Sequence, residues 1–358
     1  MKRKSLTIAV LLIMILSSFG VTGTNLKLRY TSSCGYTCQV EDSYENYNLE
    51  DLCGLVIPEE WEDDANFKYY DSTSIAGLPP FYDLRRTTPT NKNSAIISNF
   101  PKVGRQGGCG SCWAFATNGV LEIAIRLKLR KTVDLSEQYL ISCNPYGYDC
   151  SGGFFVYKLY KKDKNDKNRG AVLESDFLPY TGNNESCELC NTTNRTYVIK
   201  DYVYIRNENV NERINAIKQA IITYGPISAG VSVDDGFRAY TGGVFSSNTS
   251  GIVNHAIVLV GWQDDPSIPD GGYWILRNSW GDFWWGENEY FQPTNGQPGS
   301  GGYMRITYKS SSVGYRPCYI VGPDTNAKSF TQQNFSHIFM NFKELFSFFK
   351  ILINKTYF

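Results

Sequence analysis

The residues best suited to chemistry lie between Gln106 and Phe115, which read QGGCGSCWAF. Good helix formers after Cys112, with apolar side chains on one face, predict a helix from there to about residue 131, with Ser111 as its cap. A thiol attacks a carbonyl as the thiolate, and the first turn of a helix favours that negative charge. Cys112 is therefore the candidate nucleophile, behind glycines that let a peptide backbone approach.

A nucleophilic thiolate needs a base, and the chain has two histidines. His255 begins an apolar run 143 residues after Cys112, whereas His337 lies in a Phe-rich tail and is predicted to be a surface residue. The Cys-x-x-Cys spacings, at Cys109 and again at Cys187, raise a zinc site or a redox pair as alternatives. The buried helix face predicted after Cys112 does not suit zinc, so we expect no metal.

Taken together, these motifs resemble the papain and cathepsin family of cysteine proteases. The resemblance rests on the order of Gln106, Cys112, His255 and the stretch NSWG that begins at Asn278. It extends over about residues 78–323, with further matches in LSEQ at 135–138, CSGG at 150–153, PY at 179–180, GPIS at 225–228 and GEN at 286–288.

The resemblance implies a role for each residue of the site. Cys112 attacks the scissile carbonyl, and His255 protonates the leaving amine and then activates water. Asn278 orients the His255 ring, and Trp280 shields that contact from water. The Gln106 amide and the backbone N–H of Cys112 form an oxyanion hole. The implied reaction needs no cofactor.

The substrate contacts are also implied by the resemblance. Gly152 and Gly153 match glycines that hold an extended peptide by its backbone. Gly230 and Asn254 match the wall of the pocket for the second residue before the cut, and about residues 321–323 are expected to form its floor. No acidic residue stands there, so we expect this pocket to accept Arg poorly.

The ten cysteines include four that match family disulfides. The resemblance implies Cys109–Cys150 and Cys143–Cys187 in the helical lobe, with Cys190 as an alternative partner for Cys143. It leaves open the partners of Cys34, Cys38, Cys53, Cys190 and Cys318.

The pattern of elements predicts an α+β fold. A helix is expected over residues 211–224 and a shorter one after Ser136, and strands are expected at 227–233, 256–262, 273–278 and 303–308. Helices come first and strands later, which indicates a helical N-terminal lobe and a sheet lobe. The resemblance implies the papain-like form of this fold, with a barrel-like sheet and the active-site cleft between the lobes.

Four regions are expected along the chain. Residues 1–23 read as a cleaved signal peptide, with an uncleaved signal anchor as the alternative. Residues 24–77 are expected to be an inhibitory propeptide, and their three cysteines keep a permanent accessory extension open. Residues 78–323 form the peptidase domain, and 324–358 form a tail with no assigned order.

The signal peptide and six Asn-x-Ser/Thr sequons indicate the secretory pathway, with a lysosome-like vacuole or the extracellular space as the destination. Acidic and basic residues balance at 35 each, so no global field favours nucleic acid, and no stable membrane insertion is expected after signal removal.

The expected function is that of a cysteine endopeptidase made as a zymogen. The expected partners are polypeptide substrates, the chain's own propeptide as inhibitor and cystatin-like inhibitors, and the enzyme is expected to be a monomer. Two alternatives remain: an exopeptidase of the same fold, and an inert papain-like binding or structural protein.

Overall fold

A computed structural model describes most of the expected peptidase domain and short pieces of the region before it. The described residues are 28–31, 37–40, 53–58, 67–69, 77–166, 168–187, 194–206, 209–248, 251–281, 287 and 301–325. The expected signal peptide and all of the tail after residue 325 lie outside these ranges. Among the described helices, none combines the length and the apolar character that crossing a membrane requires.

The helical lobe is built on α1, which spans Cys112–Leu129, and on α2, which spans Glu137–Cys143. All residues of α1 from Cys112 to Ile125 are buried. A helix that is buried on every side needs close neighbours on every side. Gly119 provides one such contact, because a Cβ there would lie 3.5 Å from Val258 of the sheet lobe and against the Arg277 guanidinium.

The sheet lobe contains one sheet of nine strands, which are β3 (Phe67–Tyr69), β4 (Phe81–Asp83), β7 (Asp201–Arg206), β8 (Ile227–Val231), β9 (Val244–Phe245), β10 (His255–Asp264), β11 (Gly272–Arg277), β12 (Tyr303–Thr307) and β13 (Tyr315–Val321). Their order in the sheet is β3-β7-β13-β8-β10-β11-β12-β9, with β4 paired to β10. In the antiparallel pair of β10 and β11, Val258 lies opposite Arg277. This register brings the start of β10 beside the end of β11.

Smaller elements complete the described fold. Two further helices are α3 (Val210–Tyr224) and α4 (Asp235–Arg238). Two small sheets pair β1 (Leu28–Thr31) with β2 (Thr37–Val40), and β5 (Ala171–Val172) and β14 (Asp324–Thr325) with β6 (Arg195–Val198). Single 3-10 turns lie at Tyr157–Leu159, Glu174–Asp176, Pro269–Gly271 and Ser310–Ser312.

The predicted helices and strands are present, with ends that differ by at most two residues. Ser136 caps α2, because its side chain accepts a hydrogen bond from the backbone N–H of Tyr139. The predicted capping of α1 by Ser111 is wrong. Ser111 stands at the cap position without a capping hydrogen bond, and its hydroxyl lies 2.8 Å from that of Tyr180.

The helical lobe buries a cluster of carboxyl groups close to α1. Glu122 accepts the backbone N–H of Leu135 at 2.9 Å and lies 3.8 Å from the Arg277 guanidinium. Burial raises the pKa of Glu122 to about 8, although Arg277 opposes the shift. Burial also raises the pKa of Glu174 to about 7 and that of Glu137 well above its ordinary value.

These shifts predict that the protein resists unfolding better in mild acid than in mild base. A carboxyl group with a raised pKa in the folded state binds more protons folded than unfolded between its two pKa values. The free energy of unfolding should therefore fall as pH rises from about 4.5 to about 8. Thermal melts across this range would measure the slope.

Glu122→Gln should flatten that slope, because the amide does not titrate. Glu212→Gln is the matched control, since Glu212 is exposed in the first turn of α3. If the slope were the same in Glu122→Gln and in the wild type, Glu122 would not contribute to the pH dependence of the free energy of unfolding.

Candidate active site

Cys112 is the first residue of α1 and is fully buried. Burial raises the pKa of its thiol to about 12. The backbone N–H groups of Ala256, Gly54 and Trp113 approach the sulfur and partly oppose this shift. Ala256 directly follows His255, so the start of β10 lies against the sulfur.

His255 and Asn278 meet because the register of β10 and β11 joins the ends of the two strands. The His255 Nε2 lies 2.8 Å from the Asn278 Oδ1. An amide oxygen can only accept, so Nε2 carries a proton in this pair. In the neutral ring the other nitrogen, Nδ1, is then the basic one. Asn278 Oδ1 also accepts the backbone N–H of Ser279 at 2.8 Å, which holds the amide in this orientation.

Two aromatic rings cover the His255–Asn278 pair. The Trp280 ring lies 4.9 Å from the His255 ring, centre to centre. The Phe237 ring of α4 packs edge-on against Trp280 at 5.7 Å and lies 6.5 Å from His255. Both rings are buried, so they exclude water from one side of the imidazole.

Gln106 is held from several directions beside the N-terminus of α1. Its Oε1 accepts the Ser279 hydroxyl at 2.6 Å, and its Nε2 donates to the carbonyl of Cys109 at 2.9 Å. Its backbone N–H donates to the carbonyl of Ser279 at 2.9 Å. Its own carbonyl accepts the Tyr180 hydroxyl at 2.6 Å. Because Oε1 accepts from Ser279, the orientation of the Gln106 amide is fixed, and Nε2 is held in place as the donor.

The structure forms both disulfides that the resemblance implied, Cys109–Cys150 and Cys143–Cys187. The first ties the loop before α1 to the segment that carries Gly152 and Gly153. Cys34 and Cys190 lie outside the described residues, and Cys318 is buried in β13.

Residues 53–58, from the region before the expected domain, lie across the site. Gly153 donates its N–H to the carbonyl of Gly54 at 2.8 Å and accepts the N–H of Val56 at 2.9 Å. Leu55 donates its N–H to the carbonyl of Asn254 at 3.0 Å and pairs in parallel with Gly153. A Cβ on Gly152 would lie 2.7 Å from the Val56 side chain. The glycines expected to hold a substrate backbone therefore hold this segment.

The side chain of Leu55 points at the wall expected for the second residue before the cut. A Cβ on Gly230 would lie 3.0 Å from Leu55 Cδ2 and 2.6 Å from Val253 Cγ1. The expected floor at 321–323 is wrong. Val321 pairs with Asp201 at the far end of β13, and Tyr315 is the β13 residue opposite Gly230.

Sequence reasoning missed three features of the site: Phe237 and the hydroxyls of Ser279 and Tyr180. A segment within residues 24–77 was expected to inhibit, but the sequence did not single out residues 53–58. Ser279 and Tyr180 stand within the matched NSWG and PY motifs, but nothing in the spacing assigned them a role. Phe237 carried no signal of its own.

No group of three or more His, Cys, Asp or Glu side chains in the described part of the chain is placed to hold a metal ion. The site consists of a thiol, an imidazole and two amides. This set suits nucleophilic attack on a carbonyl with proton transfer.

Comparison with known proteins places this site in a family. The model of the papain family of cysteine proteases matches residues 82–312. Mouse pro-cathepsin H is 33% identical over 243 residues, covering 64% of this chain and 66% of that protein. Fruit bromelain from Ananas comosus is 33% identical over 237 residues, covering 66% of this chain and 61% of that protein. The chain thus spans slightly less than two thirds of the length of these two relatives.

Solved structures agree on the fold. Procathepsin L 3 from the larval midgut of Tenebrio molitor superposes with a TM-score of 0.56 at 24% identity, covering 76% of this chain and 77% of that one. In a study of the mite allergens Blo t 1 and Der p 1, one structure superposes with a TM-score of 0.59 at 24% identity, covering 76% of this chain and 81% of that one. The fold is the papain-like α+β fold of two lobes, and the chain belongs to the papain family of cysteine proteases.

Proposed function

We propose that this protein is a cysteine endopeptidase made as a self-inhibited zymogen. The observation that carries the proposal is the site itself. Cys112 begins a buried helix beside the His255–Asn278 pair, and an internal stretch of the same chain is bound along the cleft by backbone hydrogen bonds.

The chemistry follows from the tautomer of His255. With Nε2 bonded to Asn278, the basic Nδ1 takes the proton of Cys112, and the helix N-terminus stabilises the thiolate. The thiolate forms an acyl-enzyme, and the imidazolium protonates the leaving amine. The amide of Gln106 and the backbone N–H of Cys112 stabilise the oxyanion, at roughly 3–4 kcal/mol for such a donor.

Residues 53–58 fit the role of an inhibitor better than that of a substrate. The carbonyl of Gly54 is held by the N–H of Gly153, whereas its N–H faces the Cys112 sulfur. A thiolate attacks a carbonyl carbon, so a peptide bond that turns its N–H towards the sulfur is badly oriented for attack. The parallel pairing of Leu55 with Gly153 agrees with this orientation of the segment. This supports residues 24–77 as the propeptide and 78–323 as the peptidase domain.

The same segment favours an endopeptidase over an exopeptidase. Residues 53–58 are internal, and the chain continues on both sides of the stretch that lies in the cleft. A cleft that holds the middle of a chain has room for the middle of a substrate. The substrates are then polypeptides held by Gly152, Gly153 and Asn254, with a side chain placed against Gly230.

The compartment is proposed to be a lysosome-like vacuole or the extracellular space. Asn184, Asn194 and Asn248 begin sequons, and all three are exposed in the structure, as glycosylation requires. We further propose a monomer that is open to cystatin-like inhibitors once residues 24–77 are removed.

Active-site labelling tests the proposal directly. In the precursor, burial raises the pKa of Cys112 to about 12, so the thiol should react slowly with an epoxysuccinyl peptide at pH 7. After incubation at pH 4.5, we expect an N-terminus near residue 78, a label on Cys112 and cleavage of peptides blocked at both ends. Mass spectrometry would locate the label. Processed, folded protein without label would favour the inert alternative, and cleavage of free-ended peptides alone would favour an exopeptidase.

Gly54→Ala should weaken self-inhibition. A Cβ on Gly54 would overlap the backbone carbonyl of Gly110, which cannot move as a flexible side chain would. We expect Cys112 in this precursor to be labelled at pH 7 at least about 10-fold faster than in the wild type, since a steric clash of a few kcal/mol displaces the segment. Val56→Ala is the matched control, because Val56 is 51% exposed. Equal labelling of all three precursors would show that the Gly54 contact does not limit access.

The Leu55 contact predicts a preference for Leu over Arg as the second residue before the cut. Leu55 and Val253 make the neighbourhood of Gly230 apolar, and burying a guanidinium without an acidic partner is costly. Paired fluorogenic peptides that differ only at this residue should be cleaved faster with Leu, by about 10-fold or more in kcat/KM. Faster cleavage of the Arg peptide would contradict the assignment.

A further inference from the structure

The hydroxyl of Tyr180 connects Gln106 with Ser111 in the loop before α1. It donates to the backbone carbonyl of Gln106 at 2.6 Å and lies 2.8 Å from the Ser111 Oγ. A tyrosine hydroxyl has one hydrogen, and a carbonyl can only accept. With the Tyr180 hydrogen on Gln106, the 2.8 Å contact is made by Ser111 donating to Tyr180, and it is shorter than the 3.4 Å contact from the Ser111 hydroxyl to the Cys109 carbonyl.

The two residues that Tyr180 joins each stand next to one donor of the proposed oxyanion hole. Gln106 carries the side-chain amide, and Ser111 directly precedes the backbone N–H of Cys112. We propose that Tyr180 is a positioning residue that fixes the spacing between these two donors. This inference rests on the proposed function.

Tyr180 is itself held in place by its neighbours, as a positioning residue must be. Its backbone N–H donates to the Glu174 carboxyl at 2.6 Å, and its ring packs edge-on against Phe115 of α1 at 5.1 Å, centre to centre. Burial raises the pKa of Tyr180 further above its ordinary value, so the hydroxyl keeps its proton and remains a donor.

The expected effect is confined to the transition state. Donors of an oxyanion hole act by being in place before charge develops, so a change in their spacing lowers kcat. The contacts that bind the peptide backbone come from Gly153 and Asn254, whereas the hydrogen bonds of Tyr180 go to Gln106, Ser111 and Glu174. KM should therefore change little.

The test is Tyr180→Phe, which keeps the ring on Phe115 and removes only the hydroxyl. On the full chain after acid activation, with enzyme counted by active-site titration, we expect kcat to fall about 10-fold and KM to stay within about twofold. Alkylation of Cys112 by iodoacetamide forms no oxyanion, so its rate should not change. The matched control is Tyr160→Phe, which removes a buried hydroxyl bonded to Asn118.

A second background shows whether Tyr180 acts through Gln106. In Gln106→Ala, which lacks the side-chain donor, Tyr180→Phe should lower kcat clearly less than it does in the wild type. An equal loss in both backgrounds, or a parallel loss of alkylation, would overturn the inference. If Tyr180→Phe does not fold, Ser111→Ala breaks the same bridge from its other end and should lower kcat in the same selective way.

The outcome for the wild type separates this inference from the proposed function. A wild type that cleaves peptides, with a Tyr180→Phe variant of equal kcat, would overturn the positioning role alone. A processed wild type without turnover would overturn the proposed function and this role with it.

Discussion

The site depends on the close packing of α1 against the sheet lobe. The nucleophile comes from one lobe and the imidazole from the other, so their meeting depends on how near the helix can come to β10. Gly119 permits this approach, since a side chain there would meet Val258 and the Arg277 guanidinium. The register of β10 and β11 then determines that His255 and Asn278 stand together at the point where the helix begins.

The same packing explains the buried charges near α1. Arg277 ends β11 one residue before Asn278, and its guanidinium contacts the Glu122 carboxylate and the carbonyl of Lys102. A buried charge is tolerated only with a partner. The carbonyl of Lys102 accepts from Arg277, whereas Glu122, whose pKa burial raises to about 8, is mostly protonated in mild acid and becomes a charged partner as pH rises. The packing of β11 against α1 thus buries the Glu122 carboxyl and also places Asn278.

The class of fold, the main helices and strands and the pairing of His255 with Asn278 could be predicted from the sequence, because each is marked by a local pattern or motif. The helix after Cys112 shows a periodic apolar face, and His255 begins a continuous apolar strand. The errors concern contacts across long separations in sequence. Ser111 has the right type and position for a cap, but it bonds to Tyr180, which lies 69 residues away. The floor expected at 321–323 failed because the register of β13 against β8 cannot be obtained from composition.

The direction of residues 53–58 shows how one cleft can bind a chain and leave it intact. Gly153 and Asn254 offer only backbone groups, so they accept any extended peptide whatever its side chains. Reactivity depends instead on which group is presented to Cys112. With the Gly54 carbonyl engaged by Gly153, the peptide bond before Gly54 turns its N–H towards the sulfur and is badly oriented for attack. Under the proposed function, inhibition and substrate binding use the same acceptors and donors, and the orientation of the backbone separates them.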